Sequence, residues 1–171
     1  MSGPKWPKAS KHFVIVHGAY RGAWSWYKLL ASLKTSGHNV TALDLGTSGI
    51  NPKQVLEVPH LSDIMKFMTS PPADEKLVID LALATTVLRS LYTYSVEDVS
   101  KEIVLSSKRY GSVRRVFIVA AEDKLLRKEF QQRMIEKNPP DEVKEIQGSD
   151  HMVMMSKPLQ LCNLLLSIGH K

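Results

Sequence analysis

Three strand-like runs in this chain each end in a polar turn that carries ionisable side chains. The runs cover residues 12–16, 115–121 and 142–147, and the turns that follow them contain the motifs HGA, EDK and DHM. The first two runs are continuously apolar, as in strands buried on both faces, and the third alternates with polar residues as an outer strand does. Helix-like segments separate the runs. This alternation predicts an α/β fold with a mostly parallel sheet.

The predicted sheet has about five strands in a single domain. Residues 12–171 form this domain, and residues 1–11, with two prolines and three lysines, are expected to be a disordered tail. We see no internal repeat and no interdomain linker. The expected strand order across the sheet is 40–45, 12–16, 76–79, 115–121 and 142–147.

Two helices of the sequence have a clear apolar stripe. Residues 24–34 form the first, and Gly37 is a natural C-terminal stop. The last helix carries Pro158 in its first turn, where proline is tolerated. The buried stripes are expected to be Trp26, Leu29, Leu30 and Leu33 in the first helix, and Leu161, Leu164, Leu165 and Ile168 in the last.

Composition excludes several classes of protein. The chain has a net charge of +6, but its basic residues are scattered, so a nucleic-acid partner is not expected. No apolar run reaches the length of a membrane helix, and no secretory signal is visible, so the expected location is the cytoplasm. Cys162 is the one cysteine and reads as a small buried apolar residue. We expect no cofactor and no metal site.

The turns place Asp123 and His151 where a reaction centre would lie. The carboxyl ends of parallel strands meet at one edge of a sheet, and active sites of α/β proteins lie there. A carboxylate that orients a histidine is the lower half of a hydrolytic triad, and acid before base is the α/β-hydrolase order. On spacing alone, a structural role for each residue remains the alternative.

Longer stretches of the chain resemble the plant methylesterase and hydroxynitrile lyase family. This family includes the salicylate, jasmonate and indoleacetate methylesterases and polyneuridine-aldehyde-type esterases. The resemblance covers almost all of the chain beyond residue 11 and implies a serine hydrolase with a Ser-Asp-His triad. It is carried by HFVIVHGAYRGAWSWYKLL, GHNVTALDLGTSGINP, PADEKLVI, YGSVRRVFIVAAEDK and EIQGSDHMVMMSKPLQLCNLLL.

The resemblance assigns roles residue by residue. Asp123 matches the triad acid and His151 the triad base. Ala19 matches the residue whose backbone N–H donates to the oxyanion, and Gly18 precedes it in the same turn. The lyases resemble this family but carry a threonine at the position of Gly18 and a lysine at that of Met152, so both residues favour the esterase branch.

The family's nucleophile has no counterpart in this sequence. It should follow residues 76–79 in a Gly-His-Ser-x-Gly-Gly turn, yet Asp80 follows directly and no Gly-x-Ser-x-Gly occurs anywhere in the chain. A strand-to-helix junction normally needs a loop of two to six residues, and none is present at Ile79–Asp80. We interpret this junction as an internal deletion of the nucleophile, its helix, the next strand and much of the cap.

No other serine has the strained setting that a nucleophile needs. The candidates are Ser25, Ser48, Ser112 and Ser149. Ser149 adjoins the base, but neighbours on an extended segment point to opposite faces. His38 and His60 read as surface or packing residues.

Three functional hypotheses follow. The first is a carboxylic (methyl) esterase by descent that is catalytically impaired. The second is a non-catalytic pseudoenzyme that binds a small ligand, and the third is a splice or gene-model fragment without function. The expected partner is a small-molecule ester or carboxylic acid, with a homodimer left open.

Overall fold

Two pairs of parallel strands form the frame of the structure. The computed structural model describes residues 10–18, 21–45, 48–49, 106, 108 and 110–170. β1, His12–Val16, pairs with β2, Asn39–Leu43, and β3, Val116–Ala120, pairs with β4, Glu142–Ile146. In both pairs the strands are parallel and in continuous register. The predicted pairs are therefore confirmed, whereas the expected central strand 76–79 and most of the expected tail lie outside the described residues.

Helices connect and cover these strands. A 3₁₀ helix, Ala23–Trp26, leads directly into α1, Tyr27–Thr35, and a second 3₁₀ helix, Tyr110–Ser112, precedes β3. α2 spans Lys128–Lys137, α3 Val153–Ser156 and α4 Pro158–Gly169. The predicted helix over residues 24–34 thus begins as a 3₁₀ turn. The short helix α3 was not predicted.

Sequence signals fix the ends of α1 and α4. Gly37 has a φ of +85°, and the amide of His38 donates to the Leu33 carbonyl at 3.2 Å, so α1 ends in a left-handed turn that favours glycine. Pro158 occupies the first position of α4, where its missing N–H costs no helical hydrogen bond.

One apolar core joins the two strand pairs. It contains Ile15 and Ala42 from the first pair, Ile146 from the second, and residues of α1 and α4. Leu29 and Leu33 of α1 are fully buried, as their stripe predicts. The stripe of α4 differs from the prediction, because its buried residues are Leu161, Cys162 and Leu166. The face of α4 that packs against the core is rotated relative to the predicted face. Three of the predicted residues are therefore only half-buried, namely Leu164, Leu165 and Ile168.

Cys162 lies in this core, as predicted. Its side chain is buried, and that burial raises the pKa of its thiol. A buried thiol with a raised pKa holds little of the reactive thiolate form. Cys162 is therefore a packing residue.

Candidate active site

Asp123 and His151 meet at the carboxyl ends of β3 and β4. The Nδ1 atom of His151 lies 2.9 Å from Oδ2 of Asp123. An ionised carboxylate only accepts hydrogen bonds, so Nδ1 carries the proton and donates. The sequence predicted this pair, and the structure brings it together.

Asp123 is held in its turn by backbone amides. Its Oδ1 atom accepts the N–H groups of Leu125 and Leu126, each at 2.8 Å. Burial alone would raise the pKa of this carboxyl, but the hydrogen bonds from His151 and from the two amides favour the ionised form, and together they hold the pKa of Asp123 below its usual value. Asp123 is thus an ionised acceptor that orients the histidine ring.

The imidazole of His151 reaches solvent. Its side chain is 40% exposed, whereas that of Asp123 is 4% exposed. Among the described residues, none makes a hydrogen bond to Nε2. The arrangement leaves Nε2 available for proton transfer, with Nδ1 fixed by a buried carboxylate, which is how a general base is presented in a catalytic triad.

The turn after β1 contains His17 and Gly18. His17 is buried, and its Nδ1–H donates to the Gly18 carbonyl at 2.8 Å while its Nε2 accepts the Leu45 N–H at 3.0 Å. Ser48 Oγ also lies 2.9 Å from Nε2. This imidazole therefore ties the turn after β1 to the turn after β2, a role that the sequence did not reveal.

Gly18 is exposed, and a Cβ atom built on it would meet nothing within 4 Å. Space for a side chain therefore exists at the position where the lyases carry threonine. Ala19, the expected oxyanion donor, lies outside the described residues.

The first 3₁₀ helix connects this turn to the base. It packs against α3, the helix that begins two residues after His151. Lys28, in the first turn of α1, adds a hydrogen bond from its Nζ atom to the Met155 carbonyl in α3 at 3.3 Å. The turn after β1 and the turn that carries His151 are therefore held in one body.

The hydroxyl groups of three of the candidate serines donate hydrogen bonds to backbone carbonyls. Ser25 and Ser149 are fully buried. Their hydroxyls donate to the carbonyls of Gly22 and Ile146, and the Ser48 hydroxyl donates to the Leu45 carbonyl. Ser112 follows the prediction in lacking a strand-to-helix setting, because it ends a short 3₁₀ helix. Of the two histidines without a partner pattern, His38 packs edge-on against Phe13, and His60 lies outside the described residues.

Gln131 is a positioning residue that the sequence analysis missed. It is buried on α2, and its side-chain amide pairs with both the N–H and the carbonyl of Ala120, at 3.0 and 2.9 Å. It also donates to the Leu126 carbonyl at 2.7 Å. A polar residue on the core-facing side of a helix was the available signal. Gln131 closes the base of the loop that carries Asp123.

Comparison with known proteins identifies the family. Methyl jasmonate esterase 1 of Vitis vinifera is 33% identical over 254 residues, covering 94% of this chain and 97% of that protein. The chain belongs to the plant methylesterase family. Salicylic acid-binding protein 2 of Nicotiana tabacum is 30% identical over 258 residues, covering 96% of this chain and 99% of that protein. No protein-family model matches the chain.

Solved structures of this family give the fold. Tomato methylketone synthase I in complex with 2-tridecanone superposes with a TM-score of 0.83 at 42% identity, covering 95% of this chain and 98% of that one. A histidine-to-alanine variant of the same enzyme holds β-ketoheptanoate. The methylesterase-family chain thus has an α/β-hydrolase fold. In its described part, no helix is long and apolar enough to cross a membrane.

Proposed function

We propose that this protein keeps the acid–base half of a methylesterase site but does not hydrolyse esters through a covalent serine intermediate. The observation that carries the proposal is the 2.9 Å contact between His151 and Asp123 in a chain with no Gly-x-Ser-x-Gly motif. Acyl transfer by this family's chemistry needs a nucleophile between the oxyanion turn and the acid. The pair therefore either transfers a proton to or from a small carboxylic acid, or binds a small ester or carboxylic acid without turnover.

The length of the alignments supports an internal deletion. The match to methyl jasmonate esterase 1 runs over 254 positions but includes only 94% of this chain's 171 residues, about 161, which leaves about 93 positions over. Those extra positions have no counterpart in this chain. The abrupt Ile79–Asp80 junction is where we place the missing block, and the nucleophile turn belongs to it.

The missing serine would also impair the oxyanion hole. One of its two donors is the backbone N–H of the residue after the nucleophile, so the same deletion removes both groups. Loss of a triad member costs several orders of magnitude in rate, and the residual rate of a triad mutant depends on the oxyanion hole. We therefore expect no ester hydrolysis above background.

A second candidate function is decarboxylation of a β-keto acid. It is favoured by the superpositions on solved structures, in which the chain is 42% identical to tomato methylketone synthase I and 29% identical to polyneuridine aldehyde esterase. A β-keto acid that loses carbon dioxide leaves an enolate, and a proton delivered to its α-carbon gives a methyl ketone. This reaction needs a proton donor and no covalent nucleophile. Nε2 of a protonated His151 is the donor that this chain offers.

One experiment separates these functions. The purified chain is incubated with 4-nitrophenyl acetate and, separately, with β-ketoheptanoate, next to a His151→Ala variant. We expect no nitrophenol release above the variant. Formation of 2-hexanone faster with the wild type than with the variant, whose rate equals the spontaneous rate, would support decarboxylation, and equal rates would leave ligand binding as the function.

Nitrophenol release that depends on His151 would contradict the proposal, since it would reveal a working ester hydrolase. The Glu122→Gln variant is the matched control, because it changes an exposed neighbour of Asp123 and leaves the pair intact.

A further inference from the structure

We infer that Ser149 is a positioning residue that fixes the turn carrying Asp123 against the turn carrying His151. This inference rests on the proposed acid–base role of that pair. Ser149 is fully buried, so its polar groups serve the protein interior and not a substrate.

Ser149 receives the two amides that precede Asp123. Its Oγ accepts the Ala121 N–H at 3.2 Å and donates to the Ile146 carbonyl at 2.6 Å. Its own carbonyl oxygen accepts the Glu122 N–H at 2.8 Å. One residue of the base turn thus holds two consecutive residues of the acid turn.

These contacts begin where the strand ladder stops. The register of β3 and β4 ends at the pairing of Ala120 with Ile146. Beyond this point one backbone hydrogen bond continues the pairing, from the Ala121 N–H to the Ile146 carbonyl at 3.3 Å. Ser149 continues the alignment, and its bond to Ala121 spans 28 residues, the same separation as that of Asp123 and His151.

The histidine depends on this alignment more than the aspartate does. Asp123 is fixed within its own turn by the amides of Leu125 and Leu126. In the described contacts, the His151 side chain makes one hydrogen bond, to Asp123. The distance between the two side chains therefore depends on how the base turn is held against the acid turn, and Ser149 supplies a side-chain contact between these two turns.

The chain supplies a matched control in Ser25. Ser25 is also fully buried, and its hydroxyl donates to the carbonyl three residues earlier, Gly22, at 2.8 Å, as that of Ser149 does to Ile146. Within the described part of the chain, however, the Ser25 hydroxyl accepts no amide from a distant turn. Replacing either serine by alanine removes a buried hydroxyl, but only the Ser149 change removes an acceptor from the acid turn. The backbone bonds from Ala121 to Ile146 and from Glu122 to Ser149 remain, so the acid turn is loosened and not detached.

The test uses nuclear magnetic resonance on the full chain with ¹⁵N-labelled histidine. The readout is the downfield Nδ1 proton of His151, assigned by its loss in His151→Ala, together with the titration of the Asp123 carboxyl carbon. In Ser149→Ala we expect the proton resonance to move upfield or to be lost to exchange with water. We also expect the Asp123 pKa to rise toward its usual value. Ser25→Ala should leave both readouts unchanged.

The inference is overturned if a folded Ser149→Ala protein keeps both wild-type readouts, or if Ser25→Ala changes them equally. Should Ser149→Ala fail to fold, Ser149→Cys decides, because it fills the site with a slightly larger sulfur atom that is only a weak acceptor. These outcomes do not depend on turnover. A wild type that forms ketone no faster than His151→Ala would reject the decarboxylase function and leave the Ser149 result standing.

Discussion

The His151–Asp123 hydrogen bond joins a side chain that is 40% exposed to one that is 4% exposed. This asymmetry gives the two residues different tasks. The buried carboxylate stays ionised and fixes the ring, and the exposed ring keeps one nitrogen in contact with solvent. Because the carboxylate is buried and ionised in the folded state, its contribution to the free energy of unfolding can be measured as a function of pH.

The stability of the fold should depend on the ionisation of Asp123. Its folded pKa lies below the usual value of about 4, so the ionised carboxylate stabilises the folded state above that pH, and this contribution is lost as the pH falls through the folded pKa. We expect Asp123→Asn to lower the unfolding free energy near pH 6 and to cost progressively less below about pH 4. Urea unfolding across this range measures the difference. Glu122→Gln is the control, and a cost of Asp123→Asn that is constant with pH would contradict the assignment.

His17 should contribute to stability through the turns that it joins. In His17→Phe the ring volume remains, but the Leu45 N–H loses its acceptor. A buried donor left without a partner costs about 1–3 kcal/mol, and this partly buried one should cost an amount near the lower end of that range. We expect a matching fall in the unfolding free energy in urea. His12→Phe is the control, because His12 is exposed and bonds Thr41 at the surface. An equal effect of the two variants would show that the His17 hydrogen bonds contribute nothing specific.

Replacement by alanine should destabilise the fold at Gly49 and have almost no effect at Gly18. Gly49 has a φ of +54°, and a Cβ atom there would overlap the Asp44 carboxylate, which accepts the Ala23 N–H at 2.7 Å. Gly18 has open space at its Cβ position. We expect Gly49→Ala to cost at least about 1–2 kcal/mol from the left-handed backbone alone, and Gly18→Ala to leave the melting temperature almost unchanged. A large loss in Gly18→Ala would show that the turn after β1 is more closely packed than described.

The sequence predicted the parts of the fold that repeat a simple period. The apolar runs located β1 and β3, and the stripe of α1 identified Leu29 and Leu33 as core residues. The buried face of α4 differs from the predicted one, because Cys162 and Leu166 pack inward. The apolar pattern of this helix is compatible with several neighbouring stripes. Helix periodicity alone does not specify which stripe the core selects.

The sequence predicted the ionisable pair of the candidate site, but not the side chains that hold the surrounding turns in place. Asp123 and His151 follow strands, so their meeting follows from parallel topology. The contacts of His17 and Ser149 depend on how turns close, and a hydroxyl or imidazole that bonds a distant backbone leaves no periodic signal. Such contacts become visible only once the turns are placed in space.

Fluorophosphonate labelling tests the central claim most directly. The probe forms a covalent bond with an activated serine, and the intact mass of the chain reports that bond. We predict no labelled protein, since the sequence has no Gly-x-Ser-x-Gly turn and, in the part of the chain that the structure describes, no serine hydroxyl contacts the His151 ring. Labelling of the wild type that disappears in His151→Ala would contradict the account, because it would demonstrate a serine activated by this histidine.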